Sequence, residues 1–551
     1  MQPIPAGAAL AVHGVVKDSL TGEPLPRALV QIDGETGPGA LTDRDGKFEM
    51  TAPGSGSHIF QLTKPGYHDL PPNPTSAGTV LENTVGITHN VFVNPEMPVL
   101  SFFLTPTSVI QGHIDLSTGD TAQGIGVLLL RRTLQGGRPA WLVAGNARTN
   151  SDGAYRFAGL DDGDYAIATE PARESDGGGV PIAPDSPGTI TWNGYAVTFY
   201  PDARDFAGAA RIHLRGGETE QANLTLKLEA FQPVRATLAP ARGTEKSQTE
   251  YAVSVLDTQG HSLPYPAQYE SDSKTVQAEL PDGSFTLQVT AVQRQPMRVA
   301  AVRGPSPVGM MLQGNLDVTV AGHPVAGLHM ALGERVASPV AVNVSRNSAS
   351  PGSAAARGGG VTISVTQAGD MRVDGMWTQL AQGNVPGELE TNVLPPGSYW
   401  VHTSISQPGL CEESFTAGGA SLAREPLVVA AGGATAPMSL VLRDDCASLK
   451  LSLPVDLMTP AGGEEPAFTV YVVPDFDSTV DIPSLTLRAS SGGTLTIPNI
   501  APGSYHVHTF AAPVELEFRN PEALAQLPNA GQAITLDPLS TGTLTVEVTP
   551  H

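Results

Sequence analysis

The sequence predicts an all-β chain of five tandem β-sandwich domains arranged as an elongated string. One turn, in which a glycine is followed two positions later by a ring-bearing residue, recurs five times along the 551 residues. The rings stand at positions 58, 165, 285, 399 and 505, roughly a hundred residues apart, which is the length of one β-sandwich domain. Glycine and proline together make up about a fifth of the chain, which indicates many turns between short strands.

Each repeat is predicted to close with an acidic or glycine-rich turn and then an alternating strand. These closing strands are predicted at Val99–Leu104, Ala222–Leu228, Val325–Leu332, Met438–Leu442 and Leu544–Val548. The first strand of the next repeat follows within a few residues in the sequence. Such short joints predict a semi-rigid rod rather than domains on flexible tethers.

The repeats divide the chain into five predicted domains, at residues 1–105, 106–231, 232–335, 336–444 and 445–551. The stretch 347–360, rich in Ser, Ala and Gly, predicts a disordered loop inside the fourth domain. The best helix signal is Pro521–Leu527, with Asn520 as a candidate N-cap and proline at the first helical position.

The charge of the chain limits its partners. The formal net charge of -23 is spread along the sequence, and it argues against binding to nucleic acid or to an anionic membrane surface, since both require clustered Lys and Arg. No apolar run is long enough for a transmembrane helix. The first residues, Met1–Gly7, resemble the start of a mature exported chain with an initiator methionine added, which predicts that a signal peptide was removed and that the protein is secreted, periplasmic or on the cell surface.

The chain has two cysteines, Cys411 and Cys446. A lone pair in a β-rich chain is compatible with one disulfide and an oxidising compartment. Two buried free thiols are the alternative.

The first two repeats resemble a known family. Gly14–Asp18, Thr21–Val30 and Thr42–Phe48 resemble a carboxypeptidase regulatory-like domain, as do Gly112–Ile114 and Thr149–Tyr155 of repeat two. The stretch Val197–Asp202 is similar to the tail of such modules in exported acidobacterial multi-domain proteins. The resemblance covers roughly residues 10–230, and repeats three to five keep only the turn and the closing strand. It implies Ig-like or transthyretin-like sandwiches, an exported setting and no peptidase activity, because this module is the non-catalytic part of those enzymes.

No familiar catalytic motif is present, so the chain is predicted not to be an enzyme. His-x-x-Glu, His-Glu-x-x-His, Gly-x-Ser-x-Gly and the Walker loop are all missing from the sequence. No cofactor is predicted. Calcium is kept as an alternative because Asp43–Gly46 and Asp152–Gly153 place carboxylates in glycine-containing turns, although a plain hairpin turn explains both.

The aromatic residues suggest two roles. The ring of each recurring turn is predicted to pack the end of its sandwich, with its hydroxyl bonded to backbone as in a tyrosine corner. Trp192, Tyr195 and Tyr200 are the candidate contacts for a glycan, with core packing as the alternative. Trp400 and His402 match the positions of His506 and His508 one repeat later, which predicts a shared exposed face there.

Together these observations predict a non-catalytic, exported cell-envelope or extracellular protein whose sandwiches act as spacers and interaction modules. Its partners are expected to be other envelope or extracellular proteins and other copies of itself, joined by strand addition at sheet edges. A glycan-binding protein and an accessory protein that presents a substrate to a separate enzyme are the alternatives.

Overall fold

The computed structural model describes residues 9–34, 36–69, 88–175, 178–181, 191–239, 248–258, 260–294, 311–334, 338–347, 360–369, 371–372, 378–384, 387–392, 394, 396–430, 433–458, 467–488, 492–511 and 514–548. These residues form an all-β chain of tandem β-sandwiches, which confirms the predicted fold class. The predicted loop at 347–360 lies almost entirely outside the described residues. Among the residues described, no helix is both long and apolar enough to cross a lipid bilayer.

Repeats one and two contain the strands that resemble the known family. The strands of repeat one are β1 (Leu10–Asp18), β2 (Leu29–Ile32), β3 (Gly39–Leu41), β4 (Lys47–Ala52), β5 (Gly56–Thr63), β6 (Tyr67–His68), β7 (Thr88–Val93) and β8 (Leu100–Pro106). Those of repeat two are β9 (Ser108–Leu116), β10 (Gly126–Gln135), β11 (Arg138–Arg148), β12 (Ala154–Leu160), β13 (Gly163–Thr169), β14 (Ala172–Ser175), β15 (Gly178–Pro181), β16 (Trp192–Tyr195), β17 (Ile212–Leu214), β18 (Thr219–Gln221) and β19 (Leu224–Leu226).

Repeats three and four follow with the same alternation of short strands and turns. Repeat three has β20 (Leu228–Ala239), β21 (Gln248–Leu256), β22 (Ser262–Leu263), β23 (Ala267–Glu270), β24 (Thr275–Leu280), β25 (Gly283–Arg294), β26 (Met311–Val320), β27 (Val325–Ala331) and β28 (Gly333–Glu334). Repeat four has β29 (Val340–Ser345), β30 (Val361–Gln367), β31 (Met371–Arg372), β32 (Thr378–Gly383), β33 (Gly387–Leu389), β34 (Gly397–Ile405), β35 (Cys411–Ala417), β36 (Ala420–Ser421), β37 (Leu427–Val429) and β38 (Met438–Arg443).

Repeat five contains the predicted helix. Its elements are β39 (Ala447–Ser452), β40 (Ala467–Pro474), β41 (Leu485–Arg488), β42 (Thr494–Ile500), β43 (Gly503–Phe510), α1 (Pro521–Ala525), β44 (Gln532–Leu536) and β45 (Thr541–Thr545). The Asn520 side chain accepts hydrogen bonds from the backbone N–H groups of Glu522 and Ala523, so the predicted N-cap of α1 is confirmed. Short 3-10 turns lie at Phe206–Gly208 and Val455–Met458.

All five repeats pair their first strand in the same way. That strand runs antiparallel to the strand before the recurring turn, in the pairs β1–β4, β9–β12, β20–β24, β29–β33 and β39–β42. On its other side it runs parallel to the closing strand, in the pairs β1–β8, β9–β19, β20–β27, β29–β38 and β39–β45. The sequence repeat is therefore a repeat of topology.

The recurring turn has a physical explanation. Its glycines have φ between +144° and +156°, a conformation that residues with a Cβ rarely adopt; they are Gly56, Gly163, Gly283, Gly397 and Gly503. The hydroxyls of Tyr165 and Tyr505 donate to the carbonyl four residues earlier, at 2.9 and 2.6 Å, which confirms the tyrosine-corner role for these two rings. In repeat one His58 places its Nε2 3.0 Å from the carbonyl at the same offset.

Repeats two and three share a strand. The first part of β20, Leu228–Phe231, pairs with β16 of repeat two, and its continuation from Gln232 pairs with β24 of repeat three. One hydrophobic cluster also includes Trp192, Phe231 and Val234. The connection between these two repeats is therefore a continuous strand within a continuous core.

The predicted elongated string does not describe all the contacts. Strand β11 of repeat two pairs in parallel with β31 of repeat four, Trp141 opposite Met371 and Leu142 opposite Arg372. In an elongated string each repeat would touch only its neighbours. The short joints were correctly predicted, but they do not prevent the chain from folding back on itself.

Candidate functional site: a polar junction of repeats two, four and five

The β10–β11 hairpin extends beyond the rest of its sheet. Strand β13 pairs with β10 over Val127–Arg131 only, so the next four residues of β10 run on without β13. At about 3.3 Å per residue this places the end of the hairpin about 13 Å beyond the paired region. We call residues 132–140 the hairpin tip.

Two glycines make the turn of the hairpin tip. Gly136 and Gly137 have φ of +56° and +75°, the pair of positive values that a two-residue type I′ turn requires. A Cβ on Gly136 would overlap the ring of His402, and one on Gly137 would overlap the ring of Phe518. Glycine is thus required twice here, for its backbone conformation and for the close approach of repeats four and five.

The hairpin tip is held by its arginine side chains. The Arg138 guanidinium lies 3.6 Å from the ring centroid of Trp400 and donates to the carbonyl oxygens of Ala423 (2.8 Å) and Arg519 (3.4 Å). The Arg519 backbone N–H donates to the Gly137 carbonyl at 3.2 Å. Arg132 forms an ion pair with Glu517. A desolvated contact of an arginine with a tryptophan face is worth about 2 kcal/mol.

A buried polar cluster lies behind the hairpin tip. Glu412, 3% exposed, accepts hydrogen bonds from the backbone N–H and the hydroxyl of Thr479, both at 2.6 Å. The Thr479 hydroxyl also lies 2.7 Å from that of Thr403. The Arg519 guanidinium donates to the carbonyls of Ser478 and Val480. Burial raises the pKa of Glu412 and lowers the pKa of Arg519. Repeats four and five are therefore joined by hydrogen bonds removed from water.

His402 connects all three repeats. It is 1% exposed, with Nδ1 2.9 Å from Oδ1 of Asp481 and Nε2 3.2 Å from the hydroxyl of Thr366. Burial lowers the pKa of His402, and the neighbouring guanidinium groups of Arg519 and Arg138 act in the same direction, while Asp481 opposes them. Burial and the nearby Arg519 lower the pKa of Arg138 to about 10, so the Arg138 guanidinium remains charged at neutral pH. We call this assembly, centred on the hairpin tip, His402, Glu412 and Arg519, the junction.

The connection between repeats four and five is fixed next to the junction. A disulfide joins Cys411 and Cys446, with their Cα atoms 5.9 Å apart. Cys411 directly precedes the buried Glu412, and Cys446 directly precedes β39. The Arg443 guanidinium also binds the Asp445 carboxylate through two hydrogen bonds of 2.5 and 2.8 Å. Both links restrain the angle at which repeat five leaves repeat four.

A cleft of about 470 Å³ opens beside this connection, lined in part by Glu413, Arg443, Asp475 and Phe476. The Arg443 guanidinium in the cleft is bound to Asp445, and Asp475 lies 2.7 Å from Nδ1 of His506. Two charged groups of the cleft, Arg443 and Asp475, are therefore already engaged by other side chains of the protein.

The three predicted glycan contacts do not form an exposed platform, and that prediction needs correction. Trp192 is 9% exposed, because its ring stacks on Phe231 with centroids 4.1 Å apart and the Arg173 guanidinium lies 4.7 Å from its centroid. Tyr195 is buried and Tyr200 is half-buried, and both pack in the core of repeat two. Packing in the core buries the rings of Trp192 and Tyr195 and half-buries that of Tyr200, so the three do not form a flat surface on which a sugar could stack.

The acidic turns considered for calcium have a simpler explanation. One carboxylate oxygen of Asp43 accepts the backbone N–H groups of Asp45 and Lys47. In repeat two the neutral side chain of Asn150 accepts the same two hydrogen bonds. Since the uncharged amide of Asn150 accepts the same two hydrogen bonds as the Asp43 carboxylate, the turn does not require a negative charge. Within the described ranges no group of three or more His, Cys, Asp or Glu side chains is placed to hold a metal ion.

The predicted exposed face at Trp400 and His402 is wrong. Strand alternation correctly places both residues on the face opposite the core of repeat four, but that face is covered by the hairpin tip and by the 478–481 segment of repeat five. The one local signal for this contact is Gly-Gly followed by arginine at the end of two long alternating strands. That signal identifies a hairpin and does not identify its partner.

Comparisons with known proteins give no assignment. No family model matches the chain, and no curated protein matches it. Solved structures with some similarity include the Bacillus anthracis TIE protein, at 9% identity and a TM-score of 0.17, covering 74% of this chain and 71% of that one. A streptococcal ancillary pilin is 10% identical, with 60% of this chain and 99% of that one covered and a TM-score of 0.19. The GBS52 minor pilin of Streptococcus agalactiae is 14% identical, with 40% of this chain and 95% of that one covered and a TM-score of 0.18. These values are too low to carry an argument about function.

Proposed function

We propose that the chain is a non-catalytic structural and interaction protein of the bacterial envelope or extracellular space, in which five β-sandwich repeats form a closed scaffold. The observation that carries this proposal is the junction, where contacts between residues 285 to 385 positions apart hold repeat two against repeats four and five. Its charged side chains serve to join repeats. The surface that such a scaffold presents would bind other envelope proteins.

An exported location is supported by the cysteine pair. Structural disulfides persist in oxidising compartments and are rare where thiols are kept reduced. The link between Cys411 and Cys446 closes a loop of 35 residues at the connection of repeats four and five. The glycan-binding alternative is not favoured by its candidate residues, since Trp192 and Tyr195 are buried and Tyr200 is half-buried.

Small-angle X-ray scattering tests the closed scaffold. The wild-type chain is expected to have a smaller radius of gyration than an Arg138→Ala variant, which loses the Trp400 stacking and two hydrogen bonds to carbonyls. Arg148→Ala is the matched control, since Arg148 lies on the same strand, is exposed and donates only within repeat two. Wild-type scattering that already fits an extended string of five domains would contradict the proposal.

Reduction of the disulfide is expected to lower the free energy of unfolding by about 4 kcal/mol, from the chain entropy released by a loop of this size. The measurement is denaturant unfolding with and without a thiol reductant. A Cys411→Ser/Cys446→Ser variant is the control, because the reductant should not weaken it further. An intact mass showing two free thiols in protein purified from its native cells without reductant would argue against an oxidising location.

A further inference from the structure

The hairpin tip and the surface that holds it belong to separately packed parts of the chain. The core of repeat two is built around residues such as Ile110 and Tyr165, whereas repeats four and five pack around clusters of their own. No hydrophobic cluster of the described residues contains both the hairpin tip and the residues that contact it on repeats four and five. The contact therefore joins repeats that pack around separate hydrophobic clusters, beside the pairing of β11 with β31.

Both halves of the contact are held in shape by their own repeats. The hairpin tip projects because its two strands pair with each other over their full length. The surface facing it comprises Trp400, His402, Ala423, Phe518 and Arg519, and we call these residues the docking site. Trp400 lies on β34, which has a strand on each side. Phe518 is fixed in a hydrophobic cluster with Tyr471 and Phe510.

The docking site is specific for an arginine on a glycine turn. A tryptophan face and two carbonyl acceptors receive the Arg138 guanidinium, and the rings of His402 and Phe518 leave no room for a Cβ at the turn. Nothing in these contacts depends on the hairpin belonging to the same chain. The ligand that fits is the chain's own hairpin tip, from whichever copy provides it.

We propose that the hairpin tip of one copy fills the docking site of a second copy, so that the chain assembles by exchanging this contact. The proposal rests on the proposed function as a structural protein and names the partner surface. The exchanged contact has the same atoms as the closed one, so the two forms differ mainly in the cost of association, and high protein concentration favours the exchanged form. Repeats arranged in this way would form dimers, or chains where the exchange does not close.

A complementation experiment with two full-length variants tests this directly. In the first, Gly136→Val/Arg138→Ala disables the hairpin tip and leaves the docking site intact. In the second, Trp400→Arg removes the stacking ring and places a like charge against Arg138, leaving the hairpin tip intact. In each variant the hairpin tip cannot bind the docking site of the same chain, because one of the two is disabled. A mixture contains one intact hairpin tip and one intact docking site, which can meet only between chains.

The expected result is that each variant alone is a monomer by light scattering and native mass spectrometry, while the mixture forms a 1:1 heterodimer that increases with concentration. A triple variant with all three substitutions should form no complex with either. A mixture that stays monomeric overturns the proposal, and so does a complex formed by one variant alone, since it would require a different contact. A monomeric mixture would leave the closed scaffold standing, because wild-type scattering tests that separately.

Discussion

Replacing Gly136 by valine is expected to separate the hairpin tip from repeats four and five. A β-branched side chain at φ +56° costs about 1–2 kcal/mol in backbone strain, and the new Cβ overlaps the His402 ring. The two effects act on the same contact and add to each other. We expect faster hydrogen exchange at the Thr479 and Arg519 amides and a larger radius of gyration. The free energy of unfolding should fall by about 2 kcal/mol or more.

Gly119→Val is the matched control for this substitution. Gly119 also has a positive φ, of +85°, in a turn of repeat two, but a Cβ there would meet no atom within 4 Å. It therefore carries the backbone strain without the clash. If the two variants lose equal stability and exchange at the same rates, the close contact between Gly136 and His402 does not exist in solution.

Acidification is expected to weaken the junction through His402. Burial holds the pKa of this imidazole below its ordinary value of about 6.5, so the folded chain keeps it neutral when the unfolded chain has already bound a proton. Its contribution to stability is therefore lost as the pH falls through 6.5, by up to about 1.4 kcal/mol per pH unit. Protonation would also place a positive charge beside the guanidinium groups of Arg138 and Arg519, whose charges already oppose it, while the Asp481 carboxylate favours it.

The effect of His402 has to be separated from carboxylates that act in the opposite direction. Burial raises the pKa of Glu412 and of Glu515, so their contributions are present below the ordinary pKa and are lost as the pH rises. The measurement is therefore a difference, the pH dependence of hydrogen exchange at the junction in wild type and in His402→Gln between pH 5 and 7. As the pH falls from 7 to 5, hydrogen exchange at the junction should accelerate more in the wild type than in the variant.

His508→Gln is the control for this experiment. Burial and the neighbouring His506 lower the pKa of His508 as well, and it lies at the matching position of repeat five, where its ring stacks on Phe510. The His508→Gln substitution should change the free energy of unfolding of the whole chain. It should leave the pH dependence of hydrogen exchange at the junction as it is in the wild type. Equal pH profiles for wild type and His402→Gln would exclude His402 as the cause.

Local chemistry explains what the sequence could predict. The Gly-x-ring turn, the tyrosine corner of Tyr165 and Tyr505, and the Asn520 cap each depend on residues within four positions of one another. The paired strands depend on alternation, which is also local. These features were predicted because their causes are contained in short segments.

The junction could not be predicted because its causes are distant in the chain. Alternation shows on which face of β34 His402 lies, but it does not show that a hairpin from 266 residues earlier covers that face. The Trp192 prediction failed for a related reason. Phe231, the ring that covers it, lies on another strand 39 residues later, and only the pairing of β16 with β20 brings the two together.

The parallel pairing of first and closing strands has a mechanical consequence. Because the two strands run in the same direction, the chain enters each repeat at one end of this pair and leaves it at the other. A pulling force along the chain therefore loads the hydrogen bonds between them sideways and all together, instead of opening them one by one. Each repeat is thereby suited to transmit tension between its neighbours without unravelling.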